Sequence, residues 1–149
     1  MNRATYVAQV LQELGESMGM PDLALNDQGW ILLRMNEVPV RITYSPNPLE
    51  SISISADLGE VERDSREQMQ GLLQLGLVTW SHNCMTIGLT DNGRRAVGTT
   101  LIPVSQLSRD LLEQTLVALQ QAAEMVRDRL THGDFQLLEP GDAEKIASL

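Results

Sequence analysis

The hydrophobic period of this chain changes from helical to extended within one short segment, and that change restricts the possible folds more than any other feature. Between Ala4 and Met18 apolar residues recur every three or four positions, which predicts an amphipathic helix with one apolar face. Gly19 is placed like a glycine that ends a helix, and Pro21 follows it. From Leu23 onward apolar and polar residues alternate, which is the period of a half-buried strand. The chain is therefore expected to combine helices with a sheet.

Three extended segments follow one another closely in the first half of the chain. Residues 30–35, 38–44 and 51–56 are rich in apolar side chains, and the second and third alternate them with polar ones. Turn-forming residues separate the segments, Asn36-Glu37 first and Ser45-Pro46-Asn47-Pro48 second. Because short turns join neighbouring antiparallel strands, the sequence predicts an antiparallel meander.

The second half of the chain returns to helix, then to strands, and ends in a long helix. After an acidic loop at 57–64, Asp64 or Ser65 is placed to cap a short helix that Gly76 ends. Extended segments are predicted at 77–80, 85–89 and 94–104. The longest helix begins at Ser105 or Ser108 and runs to about Leu130. Residues 131–149 have no periodicity and are predicted to form a flexible tail.

These elements predict an α+β fold with one domain at 1–130 and a tail at 131–149. The sheet is expected to be twisted and antiparallel with five to six strands, and three helices accompany it in the order α-β-β-β(-β)-α-β-β-α. A chain of 149 residues is long enough for one such domain with a substantial core.

Composition excludes several classes of protein. No apolar run approaches the roughly 18 residues of a membrane span, and the N-terminus lacks the pattern of a secretory signal, so a cytosolic protein is expected. The single cysteine, Cys84, excludes a disulfide framework within the chain. A net charge of −9 disfavours nucleic acid and anionic membranes as partners, because both are polyanions.

No arrangement of residues indicates catalysis, a metal site or a cofactor. The chain has none of the common nucleotide-binding, nucleophile-elbow or zinc-protease motifs. His82 and Cys84 lie close in sequence, but a closed zinc site needs four ligands, and a turn histidine beside a packed cysteine is the simpler interpretation. An acidic cluster lacks the spacing of a calcium-binding loop and is interpreted as a solvated loop and helix N-terminus. The cluster consists of Asp57, Glu60, Glu62, Asp64 and Glu67.

The order and spacing of several short motifs resemble the small acidic chaperones of type III secretion, the Tir-chaperone (CesT-like) family. Residues 14–21 are similar to the family pattern L-G-x-x-[LM]-G-[LM]-P, and Leu23, Leu25 and Gly29 resemble the L-x-L strand and turn that follow it. Further similar stretches are Ala56-Asp57-Leu58-Gly59, Gly71-Leu72-Leu73, Leu101-Ile102-Pro103 and Leu116 to Leu130. The resemblance covers about residues 4–130. The chain departs from it at Leu75-Gly76-Leu77, where the family often has Leu-Asn, and in its longer tail.

The resemblance implies a homodimeric secretion-chaperone-like fold without enzymatic activity or cofactor, in the cytoplasm of a Gram-negative bacterium. Its partner would be the extended N-terminal segment of one or more secreted effector proteins, kept soluble and secretion-competent, with the secretion ATPase as a further candidate partner. Such a segment would pair with a sheet edge and place side chains in apolar grooves. The residues implied for effector binding are Leu14, Met18, Met20, Leu23, Leu25, Ile31, Leu33 and Met35. Those implied for the dimer interface are Met69, Leu72, Leu73, Leu77, Val78 and Trp80.

Alternatives remain open at this point. Packing in the core of one chain is the competing interpretation for both groups of apolar residues. A protein of the same fold that binds a folded partner, as a regulatory or immunity protein would, is the first alternative function. A small enzyme that uses the acidic loop and His82 is the second, and it would require a concave pocket with convergent polar groups.

Overall fold

Helices and strands follow one another in the order that the sequence predicts. The computed structural model describes residues 2–62, 64–82 and 85–132. The described helices are α1 (Arg3–Ser17), α2 (Arg66–Ser81) and α3 (Arg109–His132). The described strands are β1 (Trp30–Met35), β2 (Val38–Ser45), β3 (Ser51–Glu60), β4 (Thr86–Leu89) and β5 (Arg95–Pro103). A 3-10 turn, Val104–Gln106, leads from β5 into α3.

The strands form one antiparallel sheet in the order β1-β2-β3-β5-β4. The predicted meander is confirmed, since β1, β2 and β3 are consecutive neighbours. Ile42 pairs with Ile31 on β1 and with Ile54 on β3, so these side chains share one face of the sheet. The preceding residue of β2, Arg41, belongs to the opposite face.

The core lies between one face of the sheet and the helices. α3 packs across β3, β5 and β2, while α1 packs on α3 and α2 packs on β4 and α3. The largest fully buried side chains include Leu11 and Leu14 of α1, Ile42, Ile52 and Ile54 of the sheet, and Leu112, Leu116 and Leu119 of α3. No described element covers the other face of the sheet, which we call the open face.

The first helix and the loop after it form a compact unit because residue 15 has no side chain. The side chain of Asn2 caps α1 by accepting a hydrogen bond from the Thr5 N–H at 2.8 Å. A Cβ atom on Gly15 would collide with the Met20 carbonyl oxygen and would lie 2.7 Å from the Leu23 Cβ. This close packing requires glycine at position 15 and brings the loop back onto the helix.

The prediction of a strand at 77–80 is wrong, because α2 continues through Gly76 to Ser81. Leu72, Leu75 and Thr79 keep the helical spacing and are all buried. A Cβ at Gly76 would lie 3.6 Å from the Ile87 Cβ of β4, an ordinary contact distance. Gly76 therefore interrupts the sequence pattern without ending the helix.

The prediction that an acidic loop begins at Asp57 is also wrong, because β3 extends to Glu60. The register with β5 shifts between Asp57 and Gly59, where Gly59 has φ 110°. Leu58 continues the alternation of Ile52, Ile54 and Ala56 and is fully buried. The acidic residues and Gly59, which are typical of a loop, conceal this continuation of the strand in the sequence.

The ends of the remaining elements differ from prediction by a few residues. α3 begins at Arg109 and continues to His132, so residues 131 and 132, predicted to start the tail, are helical. The rest of that predicted tail, 133–149, lies outside the described residues. Leu23 and Leu25 lie in an irregular segment, so the described part of the chain contains five strands and not a sixth at this position.

Candidate partner-binding surfaces

The second helix exposes an apolar stripe to solvent. Leu73, Leu77 and Trp80 leave 75%, 66% and 62% of their surface exposed. They are spaced four and three residues apart, so they line one side of α2, while Leu72, Leu75 and Thr79 face the core. We call these three residues the α2 surface. Large apolar side chains clustered on a surface indicate a site of protein contact.

The α2 surface continues onto the edge of the sheet. Trp80 lines a groove of about 480 Å³ together with Leu101, which leaves 52% of its own surface exposed. The other residues of this groove are Met85, Thr86, Thr99 and Thr100. The groove joins one side of a helix to two neighbouring strands, so a partner placed there would contact both.

The open face carries a second groove, of about 380 Å³. Leu32 on β1 leaves 62% of its surface exposed because it points away from the helices, opposite to its buried neighbour Leu33. The groove is lined by Leu32, Pro39, Val40, Arg41, Ser55, Ala56, Asp57, Thr90, Arg95 and Val97. It therefore combines apolar contacts with two arginines and one carboxylate.

One end of the open-face groove is fixed by an ion pair. Arg95 donates two hydrogen bonds to Asp57, from Nη2 at 2.6 Å and from Nε at 3.1 Å. Arg127 of α3 donates to the Asp57 backbone carbonyl at 2.7 Å. Partial burial acts to raise the pKa of Asp57, but the hydrogen bonds from Arg95 and the Gly59 N–H, with the charges of Arg95 and Arg127, outweigh it and lower that pKa. The cluster ties the β3 bulge to β5 and α3.

The eight residues implied for effector binding are divided between the core and the surface. Four of them are buried within this single chain and offer no contact area to a partner: Leu14, Leu23, Leu33 and Met35. The other four are partly exposed and pack against the edge of the core: Met18, Met20, Leu25 and Ile31. Contact with an effector therefore stays a prediction for these four partly exposed residues.

The six residues implied for the dimer interface are divided in the same way. Leu72 is buried, and Met69 and Val78 are half-buried, so these three belong to the packing of α2 on the rest of the chain. The α2 surface contains the other three. Their exposure is what an interface requires, and the interface itself stays a prediction.

Sequence reasoning missed the open face. The signal was present in β1, whose residues 30–35 are apolar on both sides of the strand although only one side meets the helices. The exposure of Leu101 on β5 was missed for the same reason, because the sequence does not show that Ile102 beside it is the residue that is buried. The sequence alone gave no reason to select Arg41, whose place in the groove follows from its position on β2.

The residues considered for metal binding or catalysis are not brought together. Among the described residues, no three His, Cys, Asp or Glu side chains are close enough to hold a metal ion. Asp57 is paired with Arg95, and His82 is exposed at the C-terminal end of α2. Cys84 lies outside the described residues. Over the part of the chain that the structure describes, no helix is long and apolar enough to cross a membrane.

Comparison with known families identifies the chain. The model of the Tir chaperone protein (CesT) family matches residues 9–127. The chain belongs to this family. Membership confirms the resemblance found in the sequence, and with it the prediction of a type III secretion chaperone. A search of curated protein sequences finds no significant relative.

Solved structures of several protein complexes contain a chain of the same fold. A chain in the crystal structure of the ExsC–ExsE complex superposes with a TM-score of 0.77 at 21% identity, covering 87% of this chain and 97% of that one. A chain of the HopA1–SchA chaperone–effector complex gives 0.73 at 17% identity, with 84% and 95% covered. A chain of the heterodimeric ExoU–SpcU complex from the type III secretion system of Pseudomonas aeruginosa gives 0.62 at 16% identity, with 83% and 97% covered. The predicted α+β fold is confirmed.

Proposed function

We propose that this CesT-family chaperone acts in the cytoplasm as a homodimer that binds the extended N-terminal segment of a secreted effector and keeps it soluble and competent for export. The observation that carries the proposal is the exposure of large apolar side chains both on the α2 surface and in the open-face groove, in a chain of net charge −9. One surface would serve self-association and the other would serve the effector. The secretion ATPase is proposed as the partner that receives the complex.

The open face supports an extended ligand better than a folded one. Its groove is shallow, runs across neighbouring strands, and presents isolated apolar side chains such as Leu32 and Val97 between polar ones. An extended chain places alternate side chains on one side and can follow such a surface. The half-buried side chains Met18, Met20, Leu25 and Ile31 would continue the contact around β1, because methionine adapts to differently shaped ligands.

The proposed activity is binding without catalysis. His82, which the sequence pairs with Cys84 as a candidate for catalysis, follows the C-terminal end of α2 and does not line the open-face groove. We expect His82→Ala combined with Cys84→Ser to leave effector binding unchanged. Loss of binding in this double variant, or calorimetric binding of ATP, would contradict the proposal.

Limited proteolysis of a co-expressed chaperone–effector complex tests the central claim. The expected result is an N-terminal fragment of the effector that resists cleavage in the complex and is degraded in the isolated effector. The chaperone alone, digested under the same conditions, identifies its own fragments. If the effector is protected through a folded domain while its N-terminus is cleaved, the chain binds folded partners and the effector-chaperone function is wrong.

A further inference from the structure

The open-face groove has a cation whose charge no described residue neutralises. Arg41 is exposed and makes no hydrogen bond or ion pair within the described residues. The second arginine of the groove, Arg95, is occupied by Asp57 at 2.6 Å and lies 3.7 Å from Glu60. The groove therefore keeps a net positive charge although the chain as a whole carries −9.

The guanidinium of Arg41 is held in place by an aromatic ring. Its central carbon lies 4.7 Å from the centroid of the Trp30 ring, and the Trp30 indole N–H donates to the Gln28 side chain at 3.1 Å. Stacking of this kind uses the face of the guanidinium and leaves the N–H groups at its rim available. A carboxylate approaching in the plane of the guanidinium can then accept two parallel hydrogen bonds.

The strand register keeps the groove's own carboxylate away from this position. Arg41 pairs with Ser55, and Trp30 pairs with Thr43, so the stack leans toward the Thr43 side of Arg41. Asp57 lies two residues beyond Ser55 on β3, on the side of Arg41 that is away from Trp30. Arg95 and Arg127 hold it there. Asp57 therefore neutralises Arg95 and leaves Arg41 for a ligand.

We propose that Arg41 is a specificity-determining residue that binds an aspartate or glutamate carboxylate of the effector segment lying in the open-face groove. The proposal rests on the proposed function and states the chemistry of one position in that segment: an acidic residue set among apolar residues that contact Leu32 and Val97. Charge complementarity selects this occupant, because a neutral or basic residue at that position would leave the guanidinium rim without a partner.

Selection from a phage library of random 16-residue peptides tests the proposal without a known effector. The full-length chain, its Arg41→Glu variant and an Arg34→Glu control are each used as bait. Arg34 is a suitable control because it lies on β1 on the same face of the sheet as Arg41, but it already pairs with Glu37 at 3.7 Å. We expect peptides selected by the unmodified chain and by the control to share apolar residues around one fixed acidic position, and Arg41→Glu to select lysine or arginine there.

A synthetic copy of one selected peptide gives the quantitative test. Replacing its acidic residue by glutamine is expected to weaken binding to the unmodified chain about tenfold in fluorescence anisotropy, and replacement by lysine to weaken it further. Arg41→Glu should bind the lysine peptide best, and Arg41→Lys, which keeps the charge but loses the planar fork, should discriminate less. Circular dichroism verifies that each variant is folded.

Each other outcome points to a different error. Apolar peptides without a fixed acidic position would overturn the role of Arg41 and leave the proposed function standing. Failure of every bait to enrich any peptide, with the Phe135→Ser/Glu139→Gln variant included among the baits, would contradict the proposed function as well. If peptides bind only after Phe135→Ser and Glu139→Gln substitutions, the groove's occupant is the chain's own segment 134–139 and the proposal is wrong.

Discussion

Two glycines within helices show how one residue type serves different purposes at different positions. Gly15 is required by a close approach, because the loop carbonyl of Met20 and the Cβ of Leu23 occupy the space of a side chain. Gly76 has room for a methyl group, since Ile87 lies at an ordinary contact distance. The sequence shows both as interruptions of a helical pattern, and only the tertiary packing distinguishes them.

Gly15→Ala is therefore expected to destabilise the protein and Gly76→Ala is not. At residue 15 the collision requires the 18–23 loop to move, and overpacking of this kind costs about 1–3 kcal/mol. At residue 76 alanine adds helix propensity worth up to about 1 kcal/mol. Urea unfolding of both variants measures the difference. Equal midpoints for the two variants would contradict the packing described around Gly15.

Asp57 links the stability of the protein to pH. Its pKa is lower in the folded chain than the ordinary value near 3.9, so the folded state binds fewer protons at this group than the unfolded state when pH lies between the two values. The stabilisation is fully present above the ordinary value and is lost as pH falls through the lowered pKa.

Asp57→Asn should accordingly cost about 1 kcal/mol at pH 7, a modest value because solvent screens this partly exposed pair. The deficit relative to the unmodified protein should shrink as pH falls below about 4, since both chains then lack the carboxylate charge. Urea unfolding at several pH values provides the measurement. Glu37→Gln, at an exposed carboxylate, is the control and should show no such change. A deficit that stays constant down to pH 3 would rule out the charge as its cause.

At the scale of elements, the structure separates what periodicity can predict from what it cannot. Helix α1 and strands β1 and β2 agree with prediction within one residue, because each is a local pattern with clear turn residues at its ends. The continuation of α2 through Gly76 and of β3 through the bulge at Asp57 depends on contacts with β4 and β5, which are distant in sequence. In both places the apolar periodicity continues, but Gly76 and the acidic, glycine-containing end of β3 are residues that usually end an element.

The α2 surface provides a prediction at this scale. We expect the chain to form a dimer of about twice 16.5 kDa in light scattering, with the α2 surface in the interface. Leu73→Glu or Leu77→Glu should give a folded monomer, because burying an unpaired carboxylate costs several kcal/mol. Val117→Glu, at an exposed apolar residue of α3, is the matched control and should remain dimeric. A dimer that tolerates both α2 substitutions uses another surface.

At the scale of the whole molecule, the acidic charge and the apolar surfaces act together. A net charge of −9 opposes non-specific aggregation while large apolar side chains remain exposed. The sequence allowed the family, the class of partner and all three residues of the α2 surface to be predicted, the last within a group of six of which the other three pack inside the chain. It did not reveal the open face, because the face of a strand that meets the helices follows from tertiary packing. Leu32 and Leu33, adjacent and chemically identical, have opposite environments.

The overall charge predicts how fast an effector segment is captured. Basic residues flanking the apolar segment should be attracted over distances longer than a contact, so the association rate should fall as salt increases. Stopped-flow mixing from low to physiological ionic strength measures the effect. The dissociation rate, which depends on contacts in the groove, should change much less. An association rate independent of salt would show that the acidic surface has no part in capture.

The two tryptophans of the chain lie on different surfaces, Trp30 beside the open-face groove and Trp80 on the α2 surface. Their indole emission therefore offers two separate signals from one unlabelled protein. Trp80→Phe leaves a chain whose fluorescence follows ligand capture, and Trp30→Phe leaves one whose fluorescence follows self-association, with an aromatic ring retained under Arg41. Recording both variants after the same mixing step would establish which event happens first, and whether the chaperone must assemble before it can receive its cargo.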